Sequence, residues 1–283
     1  MKKHFYILSI LAAAMACSPQ EMRLPDDAGE GSEITLNACF EDVSTRTTLV
    51  DGTKVYWRPG DAIKVFAGAS SSARFTTGIT EASAECGFTG TFIKSDSYLA
   101  FYPYQNDVTY DGRYMTANLP ATQEAVGGNV KDVYLYSAGD TSADGKILFR
   151  NLLSGICFSL DSEGVTYVEL KGHAEEPVAG GLKVTIGKDA VKAEAAASGR
   201  ETTVRLNAPG GSFTPGVFYY LVCIPTVFEK GFTLRMVKAD ESEAVFKMAE
   251  TPPEKRKDVY VEPKLVVRET ADRRKIKTIN MKG

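Results

Sequence analysis

Two histidines, five cysteines and 36 acidic residues are the side chains from which this chain could build a reactive site. His4 lies in an apolar leader, which leaves His173, in the polar stretch KGHAEEPVAGG, as the one imidazole beyond it. A nucleophile–histidine pair would have to use His173, yet no Gly-x-Ser-x-Gly elbow or other nucleophile signature accompanies it. An exposed loop histidine is the simpler reading. One imidazole also excludes His-x-x-x-His and His-Glu-x-x-His spacings, and the chain has no Cys-x-x-Cys pair and no Gly-Lys-Ser/Thr phosphate loop. A carboxylate pair acting on a glycosidic bond is spatial rather than sequential, so the acidic residues neither reveal nor dismiss one. DTSADGK and YDGR carry turn carboxylates without the Asp-x-Asp-x-Asp-Gly calcium spacing. The expectation is a non-enzyme without metal or cofactor.

Two other features have a chemical reading. In TRTTLVDGTKVYWRPGDAIKVF, a bare Thr45-Arg46-Thr47 precedes two apolar runs joined by Pro59-Gly60-Asp61, and the single tryptophan, Trp57, closes the first run. Trp57 with Tyr56 would make a sugar-stacking platform if exposed. On a strand, however, Val55 and Trp57 share one face and Tyr56 the other, so Trp57 is expected in a core. The second feature is Cys17. It follows Ala14-Met15-Ala16, after Lys2, Lys3 and an eleven-residue apolar stretch from Phe5 to Met15. That stretch is shorter than the roughly 20 residues a bilayer span needs and suits a secretory signal. Small residues before a cysteine look like a bacterial lipobox, in which Cys17 is lipidated and becomes the first mature residue. Ordinary cleavage beside an incidental cysteine is the alternative. The chain is therefore expected to be exported and held at a membrane by acyl chains, with its globular part in water.

Cys39, Cys86, Cys157 and Cys223 form an even set that permits disulfides in an exported chain. Most lie inside apolar or alternating runs (NACFE, SGICFSL, YYLVCIP), which favours lone buried thiols. The formal net charge of −3 becomes −5 once Lys2 and Lys3 leave, with 31 basic against 36 acidic residues. Nothing in that balance predicts a nucleic-acid partner. Lys264 to Gly283 is basic, with seven Lys and Arg against Glu269 and Asp272, and reads first as a solvated tail.

The elements that position these residues are short and extended. Runs such as EITLNACF, SYLAFYPY, ILFRNLLSGICFSL, VTYVEL, GLKVTI, VFYYLVCIP and FTLRMV alternate or are β-branched, with turn residues every 8 to 12 positions or so. The chain is predicted to be all-β. YLAFYPYQND and VFYYLVCIP, apolar on both faces, fit central strands. KDAVKAEAAASG is the one helix-like candidate, short enough to be marginal, and equally readable as a strand with a loop. About 250 ordered residues exceed one sandwich of about 100 residues. The small and turn-forming residues of Ser137 to Lys146 suggest a division there. The expected organisation is a signal at 1–16, a disordered tether at 17–32, β-sandwich domains at 33–140 and 145–268, and a basic tail at 269–283.

TRTT followed by VYWRPGDAIKVF and YLAFYPY resembles the fimbrillin-like (Mfa-like) lipoproteins of Gram-negative anaerobes, related to type V pili. LFRNLLSGICFSL, EPVAGGLKVTI, PGGSFTPGVFYYLVCIPTVFEKGFTLRM and a closing KRKDVYVEPKLVV extend the likeness, in order, over nearly the whole chain after the leader. It implies two tandem transthyretin-like β-sandwich domains and a lipoprotein of the outer membrane, at the cell surface or in a fimbrium. Its partners would be other fimbrial subunits, the membrane through the lipid, and a host or bacterial surface ligand. It also implies a cut after Arg46, before Thr47, by a trypsin-like protease. The cut would remove the first strand, and a strand from another subunit would fill the groove, the β-augmentation mode of recognition. Ile34, Leu36, Ala38 and Phe40 alternate along that strand and would bury one face. The cut would remove seven acids and two bases, taking the net charge from −5 to about 0. DVYVEPKLVV has strand character interrupted at Pro263, while RRKIKTINMKG suits a buried donor only if its charges all face outward. An anchor, a tip subunit and a non-polymerising surface lipoprotein that binds glycan or host protein remain alternatives.

Overall fold

The computed structural model describes residues 31–41, 56–69, 71–187 and 190–248, with the backbone of 265–268 and 276–279. Cys17, Arg46 and Thr47, the signal at 1–16, most of the tether and most of the basic tail lie outside these residues.

The described chain is all-β, with two single-turn 3₁₀ segments at Asp132–Tyr134 and Pro209–Gly211. Its strands in order are β1 (Ser32–Phe40), β2 (Ala62–Phe66), β3 (Ser72–Thr77), β4 (Glu85–Phe92), β5 (Leu99–Tyr102), β6 (Thr109–Tyr110), β7 (Met115–Leu119), β8 (Thr122–Glu124), β9 (Ser137–Thr141) and β10 (Ile147–Asn151). There follow β11 (Ser154–Phe158), β12 (Val165–Gly172), β13 (Ala179–Gly187), β14 (Ala190–Glu201), β15 (Thr203–Asn207), β16 (Tyr219–Cys223), β17 (Phe232–Lys238), β18 (Glu243–Met248), β19 (Leu265–Arg268) and β20 (Ile276–Ile279).

Seven strands close into a barrel in the order β1-β10-β9-β5-β2-β3-β4. The other strands form three sheets, β16-β11-β19-β20, β18-β17-β12-β15-β8 and β14-β13-β7-β6. Strands β7 and β8 come from the first half of the sequence but pair with the second: β7, which carries β6 on its other edge, lies against β13, and β8 runs parallel to β15. The two halves are thus interleaved through Thr109–Glu124. Ser137–Lys146, expected as the division, is the β9–β10 hairpin, its turn closed by Ser142 donating its N–H to the Lys146 carbonyl. Turn-forming residues reverse a hairpin as readily as they link domains, which is why this stretch reads both ways.

Two apolar clusters follow from this topology. One fills the barrel around Trp57, Ile63, Val65, Phe75, Phe88 and Phe149. The other lies among the remaining sheets around Leu119, Leu170, Leu182, Leu206, Phe213 and Leu221. Strands β2 and β5 serve both. Val65, Ala100 and Tyr102 point into the barrel, while Phe66 and Phe101 belong to the second cluster. The two-faced apolar character of SYLAFYPY is realised there. Strand β16 is also buried on both faces, but it ends its hydrogen-bonded sheet rather than lying in the middle. KDAVKAEAAASG contributes to β14, the extended strand that pairs with β13. Its alanines carry no strong period of their own, so pairing across the sheet decides the conformation.

Candidate functional site

Strand β1 is the first described element, and it closes the barrel. It runs antiparallel to β4 from Ser32↔Phe92 to Cys39↔Glu85 and parallel to β10 from Ala38↔Ile147 to Phe40↔Phe149. Both of its edges are therefore paired, the β4 edge over Ser32–Cys39 and the β10 edge over Ala38–Phe40. Alternation sets its faces: Leu36 and Ala38 are buried, and Ile34 and Phe40 are half-buried against the barrel cluster. Thr35 on the outer face shares a hydroxyl hydrogen bond of 2.9 Å with Thr89 of β4. The four inward residues anticipated from the sequence share one face.

Beneath β1 sits Trp57, with no exposed surface. Its indole N–H donates to the carbonyl of Ala38 on β1 at 3.1 Å. Phe40 of β1 stacks on it at a centroid distance of 4.2 Å and an interplanar angle of 27°. Phe88, Tyr102 and Phe149 meet the indole edge-on at 4.9, 5.2 and 5.3 Å. Edge-on contacts place positive ring edges against negative ring faces, a favoured aromatic arrangement. Among the described residues, the one stacking ring and the one indole acceptor thus both belong to β1. The sugar-stacking alternative for Trp57 is excluded by this burial; Tyr56, beside it, is exposed.

The Pro59-Gly60 turn holds Trp57 in place. Gly60 has φ +85°, which a Cβ would strain, and Pro59 supplies the preset φ that precedes it in such a turn. Asp61 accepts the Arg58 N–H at 2.8 Å and the Tyr102 hydroxyl at 3.1 Å. Arg58 Nη1 in turn donates to both carboxylate oxygens of Asp132, at 2.9 and 3.1 Å. Burial raises the Asp61 carboxyl above its ordinary value, against the lowering effect of these two donors. Burial and the facing Asp61 carboxylate push the Tyr102 phenol far up, so it stays a donor.

At the far end of β1 is a charge cluster that sequence reading missed. Arg150 of β10 is only 9% exposed. Its Nε donates to Glu41 Oε1 at 3.1 Å, and Glu41 donates its backbone N–H to the Phe149 carbonyl, extending the β1–β10 ladder by one residue. Asp140 of β9 lies 4.0 Å from Arg150 Nη1, which is buried without a hydrogen-bond partner among the described residues. The signal was present in LFRN, an arginine inside an apolar run, but its partners come from 109 and 10 residues away in sequence.

The remaining candidates are structural. Cys39, Cys86, Cys157 and Cys223 are free thiols, and all but Cys39 are buried. Burial raises each thiol, Cys157 and Cys223 to about 12, so none is poised as a nucleophile. The exposed His173 bridges the Lys230 carbonyl and the Thr233 hydroxyl at 2.8 Å each, pinning its loop to the start of β17. Among the described residues no group of three His, Cys, Asp or Glu side chains is placed to hold a metal, and no helix is long and apolar enough to cross a membrane. Comparison with models of known protein families gives no match, and comparison with curated proteins gives none either.

Proposed function

We propose that this chain is a structural fimbrial subunit, or a pilus-associated surface lipoprotein, whose first strand is a replaceable plug. The observation that carries the reading is the seat of β1. It is the first described strand, hydrogen-bonded on both sides, and its own residues stack on and accept from the only tryptophan.

The energetics fit a strand that can be replaced but not lost. Each large apolar side chain taken from water contributes about 1.5–3 kcal/mol, and Leu36 is one such group with Phe40 a partial one. Leaving would also strand two barrel edges and the buried indole N–H, each unmet buried group costing about 1–3 kcal/mol. An empty slot therefore demands another strand. A cut after Arg46 would release β1 together with a lipid on Cys17, the route by which a lipid-held precursor becomes a subunit open to strand complementation. Neighbouring subunits, the outer membrane through the lipid, and an adhesive ligand at the cell surface are the partners of this reading. The alternative of a glycan-binding surface lipoprotein loses its clearest platform with the burial of Trp57.

Limited trypsin digestion of a soluble form with Cys17 replaced tests this, read by intact mass and size exclusion. The expected result is one early cut after Arg46, then strand exchange or higher oligomers. Resistance at Arg46, or a cut product that stays a stable monomer under all conditions, would move the weight to an uncleaved anchor or binding lipoprotein.

A further inference from the structure

Resting on the reading of β1 as replaceable, we infer that Arg150 selects the replacing strand, by requiring a carboxylate at the position Glu41 now fills. The partner is an extended segment whose alternate residues are apolar and whose acidic side chain directly follows the last inward-facing one, as Glu41 follows Phe40.

Arg150 is always charged, and at 9% exposure its guanidinium has lost most of its water. A buried cation is tolerated only when paired and hydrogen-bonded. Among the described residues the direct charge-assisted contact is Glu41, through Nε at 3.1 Å, while Asp140 stands off at 4.0 Å and Nη1 has no hydrogen-bond partner. Asp140 is held on β9 opposite Leu148, two residues from Arg150 along β10, so β-pairing fixes its distance. Glu41 belongs to the segment that a cut after Arg46 would carry away. Loss of β1 then removes the hydrogen-bonded carboxylate and leaves Arg150, among the described residues, with Asp140 at 4.0 Å.

Geometry makes this a register reader rather than a general charge attraction. Glu41 continues the parallel ladder by one residue, its N–H on the Phe149 carbonyl. A one-residue slip along β10 in one direction would put the residue at the Phe40 position beside the guanidinium, and a slip in either direction would turn the strand's inward face outward. A strand in register but with a neutral residue at this position fills the apolar slot and leaves the cation unpaired. Apolar residues supply the grip, and the carboxylate fixes which strand fits and where.

The test uses the full-length soluble chain cut after Arg46, so that β1 remains seated but can exchange. The probes are two fluorescent, C-terminally amidated peptides of sequence 32–43, one native and one with Glu41→Gln. The expected result is exchange of both, with the native peptide held about tenfold or more tightly, the loss on removing one charged partner from a buried arginine. In the Arg150→Met chain, which keeps an unbranched apolar stem at this site, the preference should fall to near unity while both peptides still bind. Equal retention of the two peptides by the native chain would overturn the selection by Arg150 and leave strand replacement standing. Exchange of neither peptide would overturn both.

Discussion

Strands β1 and β14 make an informative pair. Strand β1 has nine residues, and β14 has twelve. Yet β1 is paired on both edges, buries Leu36 and Ala38, and roofs an aromatic cage. Among the described residues the longer β14 pairs with β13 alone, and none of its side chains is fully buried. Length and backbone hydrogen bonding thus say little about how much a strand matters. What distinguishes them is whether the strand completes a core. That difference marks β1 as the element whose exchange would have consequences, and β14 as a rim.

The comparison breaks most visibly at Trp57. Trp57→Ala removes the ring that β1 covers and should cost about 3–5 kcal/mol, read as a large fall in the urea midpoint. Leu36→Ala, on β1 itself, should cost about 2–4 kcal/mol in the same measurement. A third substitution sharpens the question of what an edge needs. Strand β16 ends its sheet, and the fully buried Gln123 accepts the Val222 N–H at 3.1 Å and donates to the Val222 carbonyl at 2.8 Å, standing in for a neighbouring strand. Gln123→Leu leaves both groups unmet and should cost about 1–3 kcal/mol. A cost near zero would show that this edge needs no cover.

Asp61 gives a smaller, pH-dependent effect. Its carboxyl is raised in the folded chain, so the unfolded chain releases the proton first as pH rises from the ordinary carboxylate value. Native stability should therefore fall across the window from that ordinary value up to the raised one. Asp61→Asn, which keeps acceptor capacity for the Arg58 N–H and Tyr102 hydroxyl, should flatten this part of the urea-midpoint profile. The smallest effect belongs to β14. Ala197→Ser, at an exposed position, should stay within about 0.5 kcal/mol of the native chain. A loss there comparable to that of Leu36→Ala would abolish the contrast between the two strands.

Much of the β1 site is written locally in the sequence. The alternation of Ile34, Leu36, Ala38 and Phe40 sets one inward face, and a lone tryptophan between β-branched and turn residues lands in a core. The all-β fold follows from the strand rhythm in the same way. What was not legible depends on partners distant in sequence. The pairing of β1 with β10 joins residues more than a hundred positions apart, and the excursion of Thr109–Glu124 into the second half has no local signature. Arg150 acquires its role only once Glu41 and Asp140 are brought to it. Gln123 likewise acquires its role only when Val222 arrives beside it.

Trp57 offers the most direct measurement of the central claim, because the only indole in the chain lies under the strand in question. Its emission would be followed in the soluble chain cut after Arg46, under dilution and mild denaturant, with far-ultraviolet circular dichroism recorded in parallel. The account predicts a red shift as β1 departs, at conditions where the remaining sheet signal persists, and a return to the blue when a strand peptide is added. Emission that shifts only when the whole sheet signal collapses, with no recovery on adding the peptide, would contradict it.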